Sequence, residues 1–322
     1  MAEERPPAIG RIFEAMGLTH RVTRHELTSE GISGSRVYRV WLGGHDAVFK
    51  VTDAEAPPWV LQRARRELSF YHTLASQVPL RVPELLGSCD DDVVGTCLLL
   101  ARYDPTPPPA QWPADDATEV ARQLARLHAS FWGATRQLAA YTWLRRPPAH
   151  TDEEAIIHAR DEWHALSRSD RFSALFSPDV CRALDSGLER TPMLDAAIQA
   201  LPETLCHGDC HVGNLLRDPQ GRFVWTDWSE VGFEVGPTDL SFLIQRANAE
   251  GARFSVDELS AAYHRQLVEA IGQAVSVDAI RRVMDASELR TRLLEWPHYL
   301  GWATAETVSD MLARIGILGA RF

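Results

Sequence analysis

The stretch "CHGDCHVGN", residues 206–214, packs two cysteines, two histidines and an aspartate into nine positions. Structural zinc takes four cysteine or histidine ligands, usually as two short pairs separated along the chain. Cys206 and His207 are adjacent instead, Cys206 and Cys210 lack the usual knuckle spacing, and no second pair follows. Zinc is therefore the lesser reading. Set the sulfurs and imidazoles aside and two oxygen-bearing side chains remain, Asp209 and, five residues on, Asn214. Cys206 and Cys210 then read as small buried fillers.

Around this loop the sequence is rich in turns. A short strand near Leu215 and Leu216, a "DPQG" turn and the strand pattern "RFVWTDW" predict a hairpin. If its strands pair, Asp227 comes close to Asp209 and the hairpin makes a two-carboxylate site. Upstream, residues 20–51 read as strand, Gly/Ser turn, strand, turn, strand, with Gly43 and Gly44 as a hairpin signal. From Pro57 to about Gln77 the period becomes helical, with Val60, Ala64, Leu68, Tyr71 and Leu74 or Ala75 recurring. "RVPELLGSCDDDVVGTCLLLARYD" returns to strand patterning around an acidic turn. The proline-rich "PTPPPAQWP", residues 105–113, cannot continue a helix or an interior strand and reads as a linker. Beyond it the pattern is helical, at "DDATEVARQLARLHASFW" and at 152–167, 178–200, 256–271, 277–295 and 303–315. The fold class is α+β with two lobes. A small β-rich N-lobe with one helix spans 1–103, and a larger, mainly helical C-lobe spans 104–322.

The chain has 322 residues, 45% apolar and 24% charged, the range of a globular protein of more than one domain. Its formal charge of -11 disfavours a nucleic-acid partner, which wants a basic face. "MAEERPPAIGRIFEAMG" carries no long apolar run, so the expectation is no signal peptide, no membrane contact and a cytoplasmic protein. Five scattered cysteines argue against a disulfide framework. Of 33 basic residues, Lys50 is the single lysine. A compact ammonium fits between phosphate oxygens and a carboxylate where the planar guanidinium fork does not.

Phosphoryl transfer uses these letters together. An Asp approaches the acceptor hydroxyl, an Asn five residues on holds a metal ion that bridges nucleotide phosphates, and a second Asp completes the metal site. Asp209, Asn214 and Asp227 have that order, and such oxygen ligands suit Mg²⁺. The Gly/Ser turn "SEGISGSRVY", with Ser33, Gly34 and Ser35, has backbone N–H groups that can cover phosphates. Lys50 follows on the third strand, and Glu67 on the next helix can pair with it or be an ordinary exposed charge beside Arg63 and Arg66.

With these elements in order, the chain resembles the aminoglycoside phosphotransferase and choline kinase branch of the protein-kinase-like fold. The resemblance runs through the Gly/Ser loop, Lys50, Glu67, a connector at Leu100–Tyr103, "HGDCHVGN", "TDWSEVG" and "GPTDL". It implies Asp209 as catalytic base, Asn214 and Asp227 as Mg²⁺ ligands, Lys50 as phosphate contact, Glu67 as its partner and Asp239 as a brace for the loop. It implies ATP, with GTP as the other choice, its adenine near the Ala101–Tyr103 backbone. Gly208 stands where protein kinases carry an arginine, and Pro237 follows Asp227 too closely for an activation segment. The implied substrate is therefore a small hydroxylated molecule. An aminoglycoside is the family default, with nucleoside antibiotics and macrolides beside it. The alternatives are a housekeeping kinase of the choline, sugar or homoserine type and a catalytically silent nucleotide binder. The expected assembly is a monomer or homodimer.

Acceptor residues are less legible. Trp296, His298, Tyr299 and Trp302, in "EWPHYLGW", either stack on a sugar or base or belong to the core. Glu230 and Glu234 either meet an amine or face water. His207 reads as holding the loop; His211 reads as loop-shaping before substrate contact.

Overall fold

In the strand β3 (His45–Thr52) alternate side chains face opposite ways, so Ala47, Phe49 and Val51 enter the core and Lys50 takes the other face. The computed structural model describes residues 12–14, 16–18, 21–30, 34–148 and 150–322, so Ser33 lies outside the described residues. Strand β3 is the middle of an antiparallel sheet whose order is β1 (Val22–Glu30), β2 (Arg36–Leu42), β3, β5 (Gly95–Ala101), β4 (Leu85–Asp91). Its register sets Lys50 opposite Val37 on one side and Leu98 on the other. Gly43 and Gly44, with φ of 55° and 94°, make the tight β2–β3 turn.

Helix α1 (Pro58–Thr73) begins on Pro58, whose missing N–H costs nothing in a first turn. It buries Val60, Ala64, Phe70 and Tyr71, but also Arg66 and Glu67; Leu68 of the expected stripe is only half-buried. The reason is a second packing face. Phe70 stacks on Trp228 at 4.0 Å and 8° between planes, so α1 meets a turn from far along the chain as well as the sheet.

That contact governs how the chain divides. One compact unit takes the chain to Gln111 together with Ala139–Arg145 and His207–Gly232; the other takes Trp112–Leu138, Arg146–Cys206 and Phe233–Phe322. The boundary expected at 103/104 is not the edge of these units, because the segment with Asp209 and Asp227 packs against the sheet-bearing part.

The second unit is mainly helical: α2 (Ala114–Ser130), α3 (Glu153–Arg168), α4 (Pro178–Glu189), α5 (Thr191–Ile198), α6 (Pro237–Ala249), α7 (Val256–Ile271), α8 (Val277–Leu294) and α9 (Ala305–Gly319). The single helix expected over 178–200 is two, broken where Pro192 lacks the N–H an uninterrupted helix needs. Trp163, Leu188, Leu289, Leu293 and Leu318 fill the core between these helices. Strand β7 (Glu203–Cys206) pairs with β10 (Gly232–Val235), a pairing the sequence does not announce. Among the described residues no helix is long and apolar enough to cross a membrane.

Candidate active site

Lys50 Nζ sits 2.7 Å from Glu67 Oε2 and 3.0 Å from Asp227 Oδ1. Three separate elements deliver these groups: β3 the ammonium, α1 the first carboxylate, and the residue two beyond β9 (Phe223–Trp225) the second. Glu67 is 1% exposed, so the pair forms out of water, where an uncompensated charge is costly. Burial alone would lower the Lys50 pKa, but Asp227 and Glu67 outweigh it and hold the ammonium above the usual lysine value. Burial would likewise raise Asp227, yet the Lys50 charge and hydrogen bonds from Lys50 and Ser229 hold it well below the usual carboxylate range. Burial raises Glu67 against the pull of Lys50. The shifts of Lys50 and Asp227 keep a fixed ion pair charged.

The hairpin read from the sequence is present: β8 (Leu215–Arg217) pairs with β9 through Leu215↔Trp225 and Leu216↔Val224. A further bond from Thr226 N–H to the Asn214 carbonyl, 3.0 Å, carries the pairing to the site. Asp227 follows with φ 59° and ψ 67°, and it alone among the described non-glycine residues has a positive φ. Such backbone costs about 1–3 kcal/mol and persists where its surroundings over-determine it. Here the surroundings are the Lys50 ion pair and the buried Trp228 beside it.

The loop itself is held from within. His207, fully buried, donates from Nε2 to the Thr226 carbonyl at 3.0 Å and accepts the Asp209 N–H at Nδ1, 3.3 Å. Those two bonds set its tautomer. Gly208 has φ 80°, and a Cβ there would lie 2.1 Å from the Glu230 carbonyl oxygen. No side chain fits, which accounts for the glycine where protein kinases carry arginine. Asn214 donates from Nδ2 to the Asp209 carbonyl at 2.9 Å. Its amide orientation is thereby fixed, with Oδ1 on the other side.

The donor set fits a hard divalent cation. One ammonium faces the two carboxylates of Glu67 and Asp227, so that group carries net negative charge. Asn214 Oδ1 and the Asp227 carboxylate are oxygen ligands of the kind Mg²⁺ takes together with phosphate oxygens and water. These residues could hold the ion.

Other predicted residues are placed differently. Gly34 has φ 81° and lies against Val60, while the Ser35 hydroxyl is buried in a 2.7 Å bond with Thr52. Ala101 ends β5 and its N–H bonds to the Glu84 carbonyl at 2.9 Å; Tyr103 is partly exposed just after it. His211 accepts the Gly213 N–H at 3.1 Å, which is loop-shaping, and its Nε2 lies 3.8 Å from Asp209 Oδ2. Glu230 neither faces water nor waits for an amine. Its carboxylate pairs with Arg63, with Arg66 at 3.6 Å and with Arg145 at 3.3 Å. Trp296, His298, Tyr299 and Trp302 belong to the helical unit. Trp296 packs against its core, whereas Tyr299 and Trp302 are 59% and 78% exposed, so the aromatic stretch as a whole is not core. Missed by sequence reasoning were Arg66 and Arg145, which hold Glu230 and give no local signal.

The sequence model of the phosphotransferase enzyme family matches residues 26–270. No curated protein sequence matches the chain. Among solved structures, wild-type aminoglycoside 2'-phosphotransferase-IIIa in its GDP complex is 15% identical over 97% of this chain and 98% of its own, with a TM-score of 0.63. A macrolide 2'-phosphotransferase from Brachybacterium faecium is 16% identical over 97% and 96%, TM-score 0.57. A microcompartment-associated aminopropanol kinase is 16% identical over 96% and 95%, TM-score 0.59. At these identities the likeness is one of fold, the protein-kinase-like fold with its sheet-bearing and helical parts.

Proposed function

The chain belongs to the phosphotransferase enzyme family, and from that premise we propose that it transfers a phosphoryl group from ATP or GTP, bound with Mg²⁺, to a hydroxyl of a small-molecule antibiotic. One observation carries the reading: the only lysine of the chain is clamped between two carboxylates, one buried on a helix and one beyond a hairpin, next to an Asp–Asn loop. A silent nucleotide binder has no need to keep that set intact.

The proposed roles follow from the atoms. Lys50 Nζ, aimed by Glu67, meets the non-transferred phosphates. Asn214 Oδ1 and the Asp227 carboxylate hold Mg²⁺, which when bound neutralises phosphate charge. The Asp209 carboxylate, a third exposed, orients the acceptor hydroxyl and takes its proton late, since the transition state is loose and positioning dominates. The nucleotide base meets the stretch from Ala101 to Tyr103, with the Ala101 N–H already committed to Glu84.

Solved structures of like fold include aminoglycoside and macrolide phosphotransferases and an aminopropanol kinase, which supports an antibiotic acceptor and keeps a metabolite kinase as the second reading. The test is mass spectrometry of a panel of aminoglycosides, macrolides, nucleoside antibiotics, choline, amino alcohols and sugars with protein and Mg·ATP or Mg·GTP. Asp209→Asn serves as control. Phosphate on one antibiotic supports the proposal, phosphate on a metabolite moves it to the second reading, and phosphate on nothing overturns both.

A further inference from the structure

Helix α3 carries His158 and Glu162 four residues apart, so both side chains stand on one face, a turn from each other. His298 arrives from a different element, the single helical turn Pro297–Leu300. The three converge on one oxygen. Glu162 Oε1 lies 3.7 Å from His158 Nε2 and 3.6 Å from His298 Nδ1, and one ligand atom from each residue falls within 4.8 Å of the others. Both distances are too long for hydrogen bonds. They are close to the edge of a coordination tetrahedron, since two ligands about 2.1 Å from one ion at the tetrahedral angle stand about 3.4 Å apart. For these two pairs a shift of a few tenths of an ångström in exposed side chains closes that gap, and the two imidazoles, within 4.8 Å of each other, close theirs by turning about their side-chain bonds.

We propose that His158, Glu162 and His298 form a surface site for a divalent transition ion of the zinc class, with water in the fourth position. Two imidazoles and one carboxylate select Zn²⁺, Ni²⁺ or Cu²⁺ over Mg²⁺, which takes oxygen ligands and keeps its waters. The side chains are 66%, 30% and 58% exposed, so an ion reaches them without rearrangement of the core. The formal charge of -11 favours a cation at the surface.

The ion would tie α3 to the Pro297–Leu300 turn. That turn carries Tyr299, which with Trp296, Glu288, Arg292 and Arg314 lines a cavity of about 580 Å³ within the helical unit. Occupancy of the site fixes one wall of the cavity. The assignment rests on these three side chains and not on the phosphotransfer reading.

The experiment uses the full chain, stripped with chelator and titrated with ZnCl₂ against a chromophoric competitor in the presence of excess MgCl₂. One Zn²⁺ should bind per chain, and His158→Ala and His298→Ala should each weaken it at least about ten-fold. Zn²⁺ should also raise the melting temperature of the wild type and not of His298→Ala. All three side chains are solvent-accessible, so the metal-free variants should melt with the wild type, and that measurement separates lost binding from lost folding. Absence of Zn²⁺ uptake overturns the proposal. So does uptake that both histidine variants retain in full, which would place the ion elsewhere, for example on the thiols.

Discussion

Replacing Gly208 by alanine adds one methyl group at the tightest point of the loop. The new Cβ would stand 2.1 Å from the Glu230 carbonyl oxygen, 2.9 Å from its carbon and 3.1 Å from its Cβ. An unstrained carbon–oxygen contact is about 3.3 Å, so the two chains must part by roughly 1 Å. Glu230 resists that movement. Its carboxylate is held by Arg63, Arg66 and Arg145, and its carbonyl accepts from Arg145 Nε at 3.3 Å. The displacement therefore falls on the loop, whose next residue is Asp209. Holding alanine at φ 80° adds a left-handed penalty of about 1–2 kcal/mol, and a 1 Å misplacement of a positioned group costs about 10²-fold in rate. Gly208→Ala should lose stability by about 2 kcal/mol or more and turnover by about 10²-fold. Nucleotide affinity should change little, because the Lys50–Glu67 pair lies on other elements. Turnover on the acceptor found by mass spectrometry, a melting curve and nucleotide titration read the three quantities. Wild-type turnover together with a wild-type melting curve would refute the reasoning.

Lys50→Met leaves Glu67, 1% exposed, as an uncompensated buried charge and should destabilise by about 3–5 kcal/mol in chemical denaturation. Lys50→Arg keeps the charge but puts a planar fork where one nitrogen meets Glu67 at 2.7 Å and Asp227 at 3.0 Å; turnover should fall at least about ten-fold, and full activity would remove the case for a point charge. Asp209→Asn should lower turnover by about 10² or more with nucleotide affinity retained, as for a positioned base. Glu288 gives a pH test. Burial would raise its carboxyl, but bonds from Arg314 and the Arg292 charge hold it below the usual value. A depressed pKa stabilises above the unfolded value and the contribution fades as pH falls through the folded one. The melting-temperature gap between wild type and Glu288→Gln should therefore be full at neutral pH and narrow below about pH 4; a gap independent of pH would contradict the ion-pair account.

Much of the fold was readable because period is local. Alternation in β3 separates Lys50 from Ala47, Phe49 and Val51 without reference to anything distant. The hairpin of β8 and β9 carries its own turn, "DPQG", and so predicts the approach of Asp227 to the Asp209 loop. Helix α1 shows the limit. Its pattern points to one apolar stripe, but Arg66 and Glu67 are buried too, since a second partner, the turn holding Trp228, packs on it from more than 150 positions away. The same long-range contact places the loop segment with the sheet-bearing unit, where a reading by sequence order assigned it to the helical lobe.

Charges are the least legible part, and Glu230 shows why. From sequence, a carboxylate three residues past Asp227, the proposed metal ligand, is as good a substrate contact as any, because its local pattern says only that it is polar. Its partner is decided by which guanidinium groups the fold brings to it, and Arg63, Arg66 and Arg145 come from two separate stretches of chain. The pairing explains a second feature that sequence leaves blank. Glu230 is anchored on both its carboxylate and its carbonyl, and that anchored carbonyl is the surface against which Gly208 closes. An arginine cluster with no chemistry of its own thus sets the position of the loop bearing Asp209. Truncating Arg145 to alanine should reach the same loop from the far side. It should loosen Glu230 and lower turnover by a smaller factor than Gly208→Ala, with Arg63 and Arg66 still in place. If the loss in the arginine variant were the larger, the loop would be held by something other than the Glu230 carbonyl.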